Sequence, residues 1–344
     1  LRLPGRMDTT QAFKSGVAHP DNLPAGLACV LSYWDLLLLI LPVFALIAIG
    51  VVLRRVHWIE GAAEGSLIRL VINLCMPCLI FESVAGNAAL REGGNLILPP
   101  LVGFGTSVVT IALAYYFAKV IGLTVGTGAR TFALAAGLAN YGYLPLPIMA
   151  AMFGPDSRGI LLVHNIGVEA AVWTVGVLVL SGLPLKEGWR RLLSPIVLSL
   201  FVAVGVNLAG LGGELPRWLT DLVHALAVCA IPLGLLMTGV NLANHVGEPR
   251  ALFAPRVSVG AMVLRLGCFP LLFLALARWL PCSVELKRVI IVQGAMPSAV
   301  IPIIIAQHYG GRPLTAVQVV LGTTALGVVI TPLWLRVGLA WIGV

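Results

Sequence analysis

Two proline-rich stretches, 140–147 and 297–302, carry the residues best suited to bind a ligand inside long apolar runs. Proline removes a helix hydrogen bond, and lipid tolerates broken backbone only where protein or a cavity covers it. A half-helix that begins at such a break presents N–H groups and partial positive charge, which suit a carboxylate. The candidate substrate-binding residues are Asn140, Tyr141, Gly142, Pro145, Pro147, Pro297, Ser298 and Pro302.

The two stretches share a spacing. Gly137 precedes Pro145 by eight residues, and Gly294 precedes Pro302 by the same number. Paired interruptions in corresponding halves of a chain are typical of secondary transporters with inverted repeats. The spacing therefore predicts two broken helices that cross in the middle of the membrane.

Four of the charged or titratable residues within apolar segments are candidates for coupling or charge pairing, because charge is costly there and tends to be functional. Glu169 and His164 could carry a coupled proton or hold a polar network together, and the sequence favours neither. Arg265 lies deep in its segment and is expected to need an anionic partner, either Glu169 or the substrate. Glu82 lies near a segment end, where it could reach the membrane interface or act as a charge partner.

Composition identifies the setting of these residues. Of 344 residues, 59% are hydrophobic and 10% are charged, against roughly 25% charged in soluble domains. The mean hydropathy is +1.00. A soluble enzyme and a nucleic-acid-binding domain are excluded, because too little charge is available to cover a water-exposed surface. The chain is expected to be an integral membrane protein, with the lipid bilayer as its surroundings.

Apolar blocks of about 20 residues, the length that crosses a bilayer, predict an all-α polytopic protein with ten spans. Residues 1–32 lack such a block and are expected to form a disordered tail. Residues 33–185 would form the first five-helix repeat and residues 186–344 the second, inverted one. The predicted spans are 34–54, 66–85, 96–119, 131–153, 158–181, 192–211, 217–243, 256–280, 286–308 and 315–341.

Lysine and arginine in the loops predict orientation, because cytoplasmic loops carry the excess. The odd-numbered loops hold ten of these residues, among them Lys186 and Arg191, and the even-numbered loops hold six. Both termini are therefore expected outside a bacterial inner membrane, although the basic N-terminal tail favours the opposite arrangement.

Four segments resemble the auxin efflux carrier family. Residues 71–85, 140–147, 231–239 and 295–309 are similar to its helices 2, 4, 7 and 9, and the similarity runs in order over about 36–341. The resemblance implies the ten-helix architecture of bile-acid symporters and NhaA-type antiporters, with broken helices 4 and 9. It also implies a scaffold of helices 1, 2, 6 and 7, and a transport core that moves like an elevator.

Two residues depart from the family pattern. Pro145 stands where many members have glycine, which is expected to shift the first break. Ile301 stands where bacterial members often have asparagine, which removes one polar ligand from the second break. The substrate of a relative therefore cannot simply be assigned to this chain.

The expected function is secondary active transport of a small organic anion, a carboxylate. No metal or cofactor is expected beyond a coupled proton or sodium ion. The sequence does not decide whether the protein forms a homodimer. A sodium-coupled bile-acid-type symporter is the first alternative. An intramembrane enzyme is the second, but no G-x-S-x-G or H-E-x-x-H motif occurs.

Overall fold

The computed structural model describes residues 32–91, 94–181, 194–244 and 254–343, and all regular elements in these ranges are helices. The expected tail over residues 1–31 and the basic loop over 186–191 lie outside the described residues. The helices are α1 Tyr33–Arg55, α2 Gly61–Ala85, α3 Leu98–Val120, α4 Ala129–Gly137, α5 Pro145–Gly154, α6 Asp156–Leu180, α7 Pro195–Leu208, α8 Arg217–Asn244, α9 Pro255–Trp279, α10 Val284–Ala295, α11 Ile301–His308 and α12 Pro313–Ile342.

Seven of the described helices are long and apolar enough to cross a membrane: α1, α2, α3, α6, α8, α9 and α12. The predicted spans 131–153, 192–211 and 286–308 fall instead on shorter helices. Two of these three contain the proline-rich stretches, where the backbone leaves helical geometry. The protein is thus an all-helical, multi-pass membrane protein.

The glycine-to-proline spacing coincides with both interruptions. Helix α4 ends at Gly137 and α5 begins at Pro145. Helix α10 ends one residue after Gly294, and Pro302 is the second residue of α11. Pro145, which replaces the glycine of many family members, lies at the downstream edge of the first break. It begins the next helix, because its fixed φ suits a first helical position.

The two breaks pair with each other through their backbones. An isolated antiparallel bridge joins Ala139 to Ser298. The N–H of Asn140 donates to the carbonyl of Pro297 at 2.7 Å, and the N–H of Ala299 donates to the carbonyl of Leu138 at 3.0 Å. These hydrogen bonds replace some of those that the backbone N–H and carbonyl groups lost where the helices end, as an apolar surrounding requires.

Helices α1 and α8 approach closely at glycines. A Cβ on Gly239 would collide with the carbonyl of Ile47 and lie 2.9 Å from the amide nitrogen of Val51. A Cβ on Gly50 would likewise collide with the carbonyl of Leu236. Small residues at such positions let two membrane helices pack backbone to backbone. Helix α8 also packs against α2, so these helices form one side of the molecule.

We expect Gly239→Ala to destabilise the protein by about 1–3 kcal/mol, because the added methyl overpacks the α1–α8 contact. Thermal unfolding of the purified protein in detergent measures this. Gly205→Ala in α7 is the matched control, since nothing lies within 4 Å of its added Cβ. The control should keep or slightly raise the unfolding temperature, and equal behaviour of both variants would contradict the close approach.

Candidate functional site

A cavity of about 240 Å³ lies between α2, α7 and α8 on one side and the two breaks on the other. Its volume is below the roughly 300–1,000 Å³ of pockets for drug-sized ligands, so it suits a small molecule. The wall from α2, α7 and α8 is mostly apolar. That wall includes Val71, Ile72, Ile80, Ile196 and Leu200.

Polar groups line the opposite wall, and the side chain of Asn140 is one of those without a hydrogen-bond partner among the described residues. Asn140 is 8% exposed and lines the cavity. Its backbone N–H is bound to Pro297, but its side-chain amide makes no hydrogen bond to another described residue. A buried amide without a partner is costly. The Asn140 side chain is therefore available to a ligand in the cavity.

A hydrogen-bond network fixes Tyr141 beside Glu169. The hydroxyl of Tyr141 donates to Glu169 Oε1 at 2.8 Å, and Trp173 Nε1 donates to Oε2 at 2.8 Å. The side chain of Asn165 donates to the carbonyl of Tyr141 at 2.6 Å. Glu169 is the acidic group of the cavity wall, and among the described residues no lysine, arginine or histidine lines that wall.

The prolines limit what the half-helices can donate. Pro145 and Pro147 have no N–H, and the N–H of Leu146 between them donates to the carbonyl of Gly142. The expectation that the first turn of α5 supplies N–H groups is therefore wrong, because two of its first three residues are prolines. In α11, Pro302 likewise has no N–H.

Other backbone donors lie at the cavity wall. Gly142, Tyr143, Val300 and Ile301 all line it. Within the described chain, none of their N–H groups donates to a backbone carbonyl. These groups come just before or at the starts of α5 and α11, where helix dipoles favour negative charge. The wall can thus offer several donors to a small anion.

The structure separates the predicted site residues into two sets. Asn140, Tyr141, Gly142 and Glu169 line the cavity. The remaining residues of the two breaks lie outside the cavity lining. One of them, Ser298, is held by its N–H, which donates to Thr323 Oγ1 at 3.2 Å. The predicted residues outside the lining are Pro145, Pro147, Pro297, Ser298, Pro302, His164, Arg265 and Glu82.

Within the described part of the chain, Arg265 has no carboxylate partner, contrary to expectation. Its guanidinium donates to the carbonyls of Gln293 at 2.7 Å and Met296 at 2.8 Å, and more weakly to Gly294 at 3.4 Å. These carbonyls end α10, where the helix dipole is negative. Backbone carbonyls therefore take the place of the anionic partner that the sequence led us to expect.

His164 and Glu82 lie outside the cavity for different reasons. His164 is buried beside Asn165, with Nδ1 3.4 Å from Asn165 Oδ1, and makes no recorded contact with Glu169. Glu82 lies 2.6 Å from His224 Nδ1, and its side chain is 29% exposed. Glu82 is thus a partly exposed hydrogen-bond partner of His224.

Sequence reasoning did not place Tyr143, Asn165 or Thr238 at the site. All three line the cavity. A Cβ on Gly234 of α8 would collide with the Tyr143 ring, so this glycine makes room for the ring. An asparagine in the apolar run after His164 was a visible signal. The Tyr143–Gly234 contact joins distant segments and left no local signal.

Comparisons with known proteins relate the chain to membrane transporters. A family model described as a membrane transport protein matches residues 36–185 and 182–335. An uncharacterized transporter of Methanothermobacter thermautotrophicus is 26% identical over 301 residues, which cover 86% of this chain and 96% of that protein.

Two further relatives match the chain over a similar length. An uncharacterized transporter of Methanocaldococcus jannaschii is 22% identical over 307 residues, covering 86% of this chain and 96% of the relative. A protein of Rhizobium meliloti named "Putative malonate transporter" is 26% identical over 303 residues, covering 84% and 92%. Because the family model spans most of the chain, the protein is a membrane transporter rather than an enzyme, and it belongs to the membrane transport protein family of auxin efflux carriers.

Proposed function

We propose that the protein is a secondary active transporter of a small organic anion with one carboxylate. The observation that carries the proposal is the cavity beside the two breaks. The Asn140 amide and the residues of both breaks whose N–H groups donate to no backbone carbonyl line it, opposite a mostly apolar wall. Neutral donors can orient a carboxylate without holding it as a permanent ion pair would. Release therefore stays easy, as a carrier requires.

The proposed movement is an elevator-type alternation in a ten-span, inverted-repeat architecture. Helices α1, α2, α7 and α8 would form the scaffold, and the remaining helices with both breaks would move. The position of the cavity between these two groups supports this division. We place the protein in a bacterial inner membrane with both termini outside, on the charge bias of the loops, and the mechanism works in a monomer or a homodimer.

We propose a proton as the coupled ion and Glu169 as its carrier. Glu169 faces the same cavity as Asn140 and has no cationic partner among the described residues. An ionised Glu169 would repel a substrate carboxylate, whereas a protonated one would not. Binding of the anion and binding of the proton therefore favour each other, which couples the two fluxes.

The same charge balance favours a monocarboxylate over a dicarboxylate. The described cavity wall carries Glu169 but no cationic side chain, so a second carboxylate would lie there without a counter-ion. The Rhizobium meliloti relative is named for malonate, a dicarboxylate. Competition by malonate therefore tests whether this chain prefers monocarboxylates to dicarboxylates.

Flux into proteoliposomes tests the function. We expect uptake of a radiolabelled indole monocarboxylate, stimulated when the acceptor compartment is alkaline and indifferent to a sodium gradient. Unlabelled short monocarboxylates should compete better than malonate at neutral pH. Sodium-driven uptake would favour the bile-acid-type symporter, and folded protein that moves none of these acids would refute carboxylate transport.

Asn140→Ala should weaken apparent affinity roughly ten- to a hundredfold, because a hydrogen bond to a charged group contributes about 1.5–3 kcal/mol. Concentration-dependent uptake measures the effect. Asn244→Ala is the control, since Asn244 ends α8 and contacts Arg54 and Glu64 away from the cavity. Normal affinity in Asn140→Ala would mean that the carboxylate is held elsewhere.

Glu169→Gln should flatten the pH dependence of uptake, because the amide cannot take up or release a proton. Initial rates over a pH series, with and without a pH gradient, measure this. Glu214→Gln changes an exposed carboxylate between α7 and α8 and should keep the wild-type profile. An unchanged profile in Glu169→Gln would remove this residue from the coupling mechanism.

A further inference from the structure

Arg265 is a charged residue sealed inside the membrane part of the protein. It is 0% exposed and lies in a π-helical segment, Val263–Cys268, within α9. The rings of Phe269 and Phe273 flank its guanidinium carbon, with centroids at 5.7 and 5.8 Å. Aromatic faces attract a cation that has lost its water. The two rings therefore offset part of the hydration that the buried guanidinium has lost.

The acceptors of this charge are the carbonyls at the end of α10 and in the second break. Unwound carbonyls and half-helix C-termini at such breaks are where transporters coordinate a coupling sodium ion. Here the guanidinium of Arg265 donates to the carbonyls of Gln293, Gly294 and Met296. A side chain of the protein thus fills the position that a bound cation would take.

The neighbouring carbonyls are engaged as well. Thr331 Oγ1 donates to the carbonyl of Ala295 at 3.0 Å, and the N–H of Asn140 donates to the carbonyl of Pro297. All five carbonyls from 293 to 297 therefore accept a hydrogen bond from within the protein. A sodium ion would have to displace these donors and approach a buried positive charge, both of which oppose its binding.

We infer that Arg265 is a built-in cation that replaces a coupling sodium ion at the second break. It neutralises the dipole end of α10 and holds the break in shape without an ion from solution. The inference rests on the proposed transport function, for which it excludes sodium as the coupling ion at this break. It also makes Arg265 a positioning residue, because its guanidinium does not line the substrate cavity.

Thermal unfolding of the purified full chain tests the inference without any substrate. Wild-type protein should unfold at the same temperature in sodium chloride and in choline chloride of equal ionic strength. Arg265→Ala should unfold at a lower temperature, since it leaves buried carbonyls without a donor. Millimolar methylguanidinium should recover part of that loss, and tetramethylammonium, which has no N–H donor, should not.

Two further variants complete the comparison. Arg278→Ala removes a guanidinium near the end of α9 whose recorded hydrogen bond is exposed and 3.5 Å long, and methylguanidinium should not change its unfolding temperature. Arg265→Lys keeps the charge and should be more stable than Arg265→Ala. If Arg265→Ala does not fold, the sodium comparison in wild type and the Arg265→Lys variant still decide.

A sodium-specific stabilisation of wild-type protein would overturn the inference. So would an Arg265→Ala variant of wild-type stability, or one that methylguanidinium does not stabilise. These readouts are independent of carboxylate flux, so a failure here is distinguishable from a failure of the proposed transport function. If stability does not depend on sodium and no carboxylate is transported, the inference about Arg265 stands and the proposal of carboxylate transport is rejected.

Discussion

The fold depends on one constraint, which is that backbone polar groups inside a membrane must find partners within the protein. Two stretches of this chain leave the helix at mid-span, and each alone would expose N–H and carbonyl groups to an apolar surrounding. They satisfy each other through the short bridge between Ala139 and Ser298. The position of the cavity follows from this pairing, because the bridge brings the ends of four half-helices to one place.

The bridge leaves a few groups unpaired, and these give the site its chemistry. Donors remain at the cavity wall, whereas the acceptors at the end of α10 are occupied by Arg265. The two sides of the breaks therefore differ in electrostatic character. The cavity wall offers hydrogen-bond donors, which the proposed function assigns to an anion, and the carbonyl side already holds the guanidinium of Arg265. The π-helical segment of α9 carries Arg265, and that of α6, Val172–Gly176, follows Glu169, in keeping with the frequent occurrence of such segments at functional sites.

The sequence predicted the membrane class, the helical content and the location of both breaks, because hydropathy and proline act locally along the chain. It also singled out Asn140 from its place in the first break. It did not predict the partner of Arg265, since backbone carbonyls are present at every residue and only the fold selects three of them. It misjudged the donors of α5 as well, although the absence of N–H on Pro145 and Pro147 was already readable. The contribution of Tyr143 depends on a glycine in a distant helix.

The contact between Tyr143 and Gly234 has a consequence for the proposed movement of the two groups of helices. The ring fits against α8 because residue 234 has no side chain. A displacement of one helical turn along α8, about 5.4 Å, would bring the ring opposite Ala230 or Thr238, where a side chain stands in the way. The contact therefore favours the present register of the Tyr143 ring along α8. If the proposed movement occurs, the size of residue 234 would set how strongly this register is favoured over a shifted one, and so the energy barrier between them.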